Sequence, residues 1–112
     1  MSNLPILNYH GIETRENEYP WLEEEKPYVL PFTKFEAQLN FLAENDFKSL
    51  SLNGLEDWLE KKVVHAKPIV LTFDDGHICH CDHVIDALIK RNIKAIFFIP
   101  TKIPPHHFLN IP

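Results

Sequence analysis

The sequence predicts an α/β fold with parallel strands. The nearly unbroken apolar run 69–73 reads as a strand covered on both faces, as strands of parallel sheets are, and residues 94–99 read as another continuous apolar strand. Between them Val84, Ile85, Leu88 and Ile89 recur at helical spacing, and strand, helix, strand is a βαβ unit.

The remaining elements follow in chain order. Residues 4–9 read as a short apolar strand, which His10 and Gly11 leave. Residues 12–32 are polar, acidic and broken by Pro20, Pro27 and Pro31, so they are expected to form a long surface loop. Phe35, Leu39 and Leu42 make one apolar stripe of a helix over about 33–45. Thr33 and Glu36 stand at capping-box spacing at its start. Residues 47–50 suggest a short strand, and Ser51 or Asn53 can cap a second helix with Leu55, Trp58 and Leu59 on its apolar face. Asp82 can cap the third helix. Four prolines and the adjacent His106 and His107 make residues 100–112 read as an extended end.

Length and composition exclude several classes. A chain of 112 residues holds one domain with one modest core, and its 45% hydrophobic content offsets chain entropy. The net charge of −5, with Lys and Arg scattered, argues against nucleic acid as a partner. No apolar run approaches the roughly 20 residues that span a bilayer, and the first residues do not read as a signal peptide. Cys79 and Cys81 lie too close in sequence to make a useful disulfide staple.

The chemistry concentrates at Asp74, Asp75 and Gly76. Adjacent carboxylates at the carboxyl end of a buried parallel strand fall where α/β sheets place their ligands. Two close negative charges are costly unless a proton or a cation offsets them. Taken alone, Asp-Asp-Gly reads first as a strand-ending turn, and only the surrounding sequence reverses that. His77, Cys79, His80, Cys81 and His83 crowd the next seven residues, either as donors to a soft metal or as incidental loop residues, and their spacing fits none of the common structural zinc patterns. His10 either faces the carboxylates or makes a structural hydrogen bond. Trp21 can stack on a sugar, whereas Trp58 belongs to a helix stripe.

Five segments in order carry a family resemblance. They are Leu7-Asn8-Tyr9-His10-Gly11-Ile12, Phe35-Glu36-Ala37-Gln38-Leu39-Asn40-Phe41-Leu42, Phe47-Lys48-Ser49-Leu50-Ser51-Leu52, Val70-Leu71-Thr72-Phe73-Asp74-Asp75-Gly76 and Lys94-Ala95-Ile96-Phe97-Phe98-Ile99-Pro100. With this order and spacing the chain resembles the N-terminal portion of the NodB-type polysaccharide deacetylases, carbohydrate esterase family 4. The resemblance implies a partial distorted (β/α) barrel, truncated after about half its strands, with residues 1–112 as the N-terminal part of the domain. It also implies hydrolysis of N-acetyl groups on an acetylated polysaccharide, with Asp74 as general base and Asp75 as ligand of zinc or another divalent metal. The family completes that site with a later His-x-x-x-His pair, which this sequence lacks. The site is therefore expected to be incomplete and the chain inactive as it stands. A non-catalytic carbohydrate-binding or interaction module on the same half fold is the alternative. The last strand of a half-barrel also offers an unpaired edge for self-association.

Overall fold

The computed structural model describes residues 3–100. Its longest strand is β5, Pro68–Asp74, and six of its seven residues are buried. Burial on both faces follows from the run Ile69-Val70-Leu71, since alternate side chains point to opposite sides. Ile69, Leu71 and Phe73 enter the main core with Tyr9, Phe35, Leu39 and Leu88, whereas Val70 joins Leu50 and Ile96 on the other side.

Three strands run parallel to β5. β1 (Ile6–Tyr9) flanks it with Asn8 opposite Thr72. Two further strands, β4 (Lys48–Ser49) and β6 (Ile96–Phe98), pair with its beginning and its end, with Lys48 opposite Pro68 and Phe98 opposite Asp74. A second sheet joins β2 (Gly11–Glu13) to β3 (Val29–Pro31), also in parallel. Neither sheet closes on itself, and the α/β arrangement is that of a partial, distorted (β/α) barrel.

Three helices cover the strands. α1 (Phe32–Glu44) buries Phe35, Leu39 and Leu42, the stripe read from the sequence. α2 (Leu52–Leu59) is capped by Ser51, whose hydroxyl accepts from the Gly54 N–H at 3.1 Å. α3 (Ile85–Lys90) continues a π-helical turn over His80–Val84 and buries Ala87 and Leu88. Arg91 ties α3 to α1, donating to Asn40 Oδ1 at 2.7 Å and to Glu36 Oε2 at 3.0 Å.

Several expectations need correction. Residues 12–32 are not a plain loop, since they contain most of β2, a 3₁₀ turn at Lys26–Tyr28 and β3. Three-residue strands are too short for an alternation pattern to show, yet Ile12 is fully buried. The Thr33–Glu36 capping box does not form, because β3 runs straight into α1 and puts Thr33 inside the helix. Asp82 lies within the π turn rather than capping α3, and its carboxylate accepts from the Tyr19 hydroxyl. Leu59 and Ile89 are 67% and 70% exposed, so both apolar stripes are narrower than their sequences suggested. His106 and His107 lie outside the described residues. Among the described residues no helix is long and apolar enough to cross a membrane.

Candidate active site at the end of β5

Asp74 is the last residue of β5, and the chain then turns through two successive left-handed residues, Asp75 at φ 73° and Gly76 at φ 59°. Asp tolerates that region better than most side chains, and Gly pays no Cβ penalty there. The Asp75 N–H donates to the Phe98 carbonyl at 3.0 Å, so β6 holds the turn. The side chains of Asp74 and Asp75 are 30% and 60% exposed. Both line a cavity of about 220 Å³, together with His10, Trp21 and Tyr28.

The His10 ring lies between the two acids. Its Nε2 is 3.8 Å from Asp74 Oδ2, and its Nδ1 is 3.9 Å from Asp75 Oδ2. Tyr28 tilts against it with ring centroids 5.3 Å apart. The backbone carbonyl of His10 accepts from His80 Nε2 at 2.7 Å, while its ring faces the carboxylates. That bond fixes which His80 nitrogen carries the proton, and burial lowers the His80 pKa and keeps the ring neutral.

The donors of the 77–83 segment disperse instead of converging. The His77 ring is buried and stacks on Trp21 at 4.3 Å, with its Nδ1 accepting from the Cys79 N–H. Cys79 is buried, its sulfur accepts from the Ile12 N–H, and burial pushes its thiol up to about 12. Cys81 is exposed, and both cysteines are free. His83 turns away to Glu18 at 3.0 Å and to the Tyr19 hydroxyl at 3.1 Å. Burial raises the Glu18 pKa, but hydrogen bonds from Thr14 and His83 more than reverse it. Trp21 forms a wall of the cavity, fixed by its stack on His77 and by an Nε1 bond to Glu13 at 2.8 Å. Trp58 packs beside Leu50 and Val70.

Sequence reading missed Asn8, Thr72 and Tyr28. Asn8 Nδ2 donates to Asp74 Oδ2 at 3.1 Å, and the Thr72 hydroxyl donates to Asn8 Oδ1 at 2.8 Å. A polar residue between apolar neighbours was the available signal at both strand positions, but only the register pairs them.

The described residues do not by themselves fit a resident divalent metal. A catalytic zinc takes three protein ligands, with its nitrogen and oxygen donors each about 2 Å from the ion. Here no group of three or more His, Cys, Asp or Glu side chains is arranged to hold one. The two nitrogens of His10 face different carboxylates, so it cannot serve both. Among the described residues the metal site is incomplete.

Comparison with known proteins agrees with this geometry. The polysaccharide deacetylase family profile matches residues 61–107. The chain is 29% identical over 110 residues to YxkH of Bacillus subtilis, a protein named for the polysaccharide deacetylases. That match covers 96% of this chain, which spans 36% of the length of YxkH. Among solved structures, the Streptococcus pyogenes deacetylase PplD in complex with acetate superposes with a TM-score of 0.69 at 25% identity, over 86% of this chain and 42% of PplD. IcaB from Ammonifex degensii gives 0.69 at 27% identity, over 86% of this chain and 37% of IcaB. In sequence and in fold the chain is similar to the polysaccharide deacetylases, and it spans about two fifths or less of the length of these relatives.

Proposed function

We propose that residues 1–112 are the N-terminal part of a metal-dependent polysaccharide N-deacetylase domain, which hydrolyses N-acetyl groups of a glycan. The observation that carries this reading is the exposure of two adjacent carboxylates, Asp74 and Asp75, in one cavity at the carboxyl end of β5. The names of the similar proteins support it.

In this reading Asp74 is the general base. Its carboxylate is anchored on one oxygen by Asn8 and opens on the cavity, where it can take a proton from the attacking water. Asp75 contributes one ligand to zinc or another divalent cation whose other ligands lie outside the described residues. Once its remaining ligands were supplied, such a cation would polarise the amide carbonyl and acidify a bound water. With one ligand in place, the 112-residue chain is inactive alone.

The test compares this chain with a version extended through a His-x-x-x-His segment, both supplied with zinc, on an acetylated glycan. Acetate release is expected from the extended version only, and is expected to vanish with Asp74→Asn, Asp75→Asn or chelation. Release that persists in Asp74→Asn would remove the assignment of the base. Saturable, metal-free glycan binding without any hydrolysis would favour the binding module instead.

Self-association belongs to the same reading. Within the described residues β6 pairs with β5 alone, and Phe98 on it is 56% exposed. An open edge of that kind templates pairing between chains. Sedimentation of the isolated chain should show concentration-dependent oligomers, and a monomer at all concentrations would rule the contact out.

A further inference from the structure

We propose that Asn8 is a positioning residue for Asp74, itself oriented by Thr72, so that the first strand sets the aim of the catalytic base. The inference rests on the deacetylase reading above and adds to it a relay that runs across the β1–β5 pair.

The direction of the relay is fixed by donors. A threonine hydroxyl has one hydrogen, and Thr72 has two acceptors in reach, Asn8 Oδ1 at 2.8 Å and the Leu7 carbonyl at 3.4 Å. The shorter bond takes it, and because the Asp74 carboxylate can only accept, the Asn8 amide turns its NH₂ to Asp74 and its oxygen to Thr72. Both amide hydrogens then have acceptors, Asp74 Oδ2 at 3.1 Å and His10 Nε2 at 3.3 Å. One amide on β1, bonded to a hydroxyl on β5, therefore reaches two cavity side chains, Asp74 and His10.

Strand pairing explains why these residues meet. Asn8 and Thr72 are direct partners in the parallel ladder, and Asp74 follows Thr72 by two residues, on the same face of β5. Thr72 is a buried polar side chain between Leu71 and Phe73. Valine would fill the same space in a strand, so its volume does not require the hydroxyl. Anchoring one Asp74 oxygen limits rotation of the carboxylate, and misplaced reacting groups lose rate steeply.

Two arms separate this inference from the reading beneath it. In the isotope-labelled 112-residue chain, the Asn8 side-chain amide resonance should shift in Thr72→Val and in Asp74→Ala. An unmoved resonance in both variants overturns the relay whatever the reaction is. In the extended, zinc-supplied enzyme, Asn8→Ala should lower kcat about tenfold with KM within about twofold. Thr72→Val should lower it in the same way, and Thr72→Ser should recover most of that loss. Melting of each variant separates lost fold from lost aim, and Asn8→Ser serves where Asn8→Ala does not fold. If Asp74→Asn abolishes turnover while Asn8→Ala and Thr72→Val turn over at the wild-type kcat, the positioning role is refuted and the deacetylase reading stands. If Asp74→Asn keeps its activity, the reading fails instead.

Discussion

Gly11→Ala tests how the cavity wall is built. A methyl group at Gly11 would lie 2.6 and 2.8 Å from two ring carbons of Trp21 and 3.1 Å from Val29 Cγ2. Trp21 cannot swing aside cheaply, because it stacks on His77, meets Tyr19 edge-on at 5.4 Å and is bonded to Glu13. The backbone is also held, since Gly11 pairs with Val29 in the β2–β3 ladder. Overpacking of this kind costs ~1–3 kcal/mol. Replacing glycine within a strand returns ~0.5–1 kcal/mol through the unfolded chain. Taking the middle of each range, the net loss is about 1 kcal/mol, or roughly 4–8 °C in melting temperature for a domain of this size. Thermal unfolding followed by circular dichroism reads it directly. Trp21→Phe removes the two ring carbons that the methyl group meets, so the double variant should melt higher than additivity predicts. If Gly11→Ala melts within about 2 °C of the wild type, or the pair shows no coupling, the wall is not packed as described.

Three other outcomes follow from single side chains. Exposed Cys81 should react with a thiol reagent in the native protein, while Cys79, buried and pushed up to about 12, should react only after denaturation; two fast thiols would contradict this. Ser51→Ala removes the acceptor for the Gly54 N–H and should cost ~1 kcal/mol in denaturant unfolding, with Ser51→Asp recovering most of it. Burial depresses the His80 pKa, so below about pH 6.5 the unfolded chain takes up a proton that the folded one resists. Stability present above that pH is lost as pH falls, and His80→Phe should show a shallower decline; equal slopes would refute the assignment.

The readable parts of this molecule are those that sequence neighbours determine. The stripe Phe35, Leu39, Leu42 repeats at helical spacing, and all three residues are buried in α1. The run ending in Asp74-Asp75-Gly76 announces a buried strand and its turn within seven residues, and β5 follows it. What stayed hidden depends on distant partners. Asn8 is an unremarked polar residue until the ladder sets it against Thr72, sixty-four positions on. β2 and β3 hold three residues each and gain their stability from Ile12 reaching the core, which no local pattern reveals. The expected caps failed at Thr33 and Asp82 because the preceding segments, β3 and a π turn, run directly into the helices.

Turn chemistry accounts for part of the site and leaves a remainder that function must explain. The left-handed backbone at residues 75 and 76 suits Gly76, and Asp at 75 is tolerated there although Asn or Gly would serve as well. The bond from the Asp75 N–H to Phe98 would form with any of these residues, because it uses the backbone. Neither requirement calls for a carboxylate at 75, and no turn requirement calls for one at 74, which is still in the strand. Both acids nonetheless come within 4 Å of a single imidazole and open on one cavity, and Asp74 is held by an amide whose own orientation is imposed from β5. A strand that only had to end would not need two neighbouring charges, nor an ordered donor aimed at the first of them. Two exposed carboxylates on one cavity, the first anchored by an amide, are what the proposed base and ligand roles of Asp74 and Asp75 require.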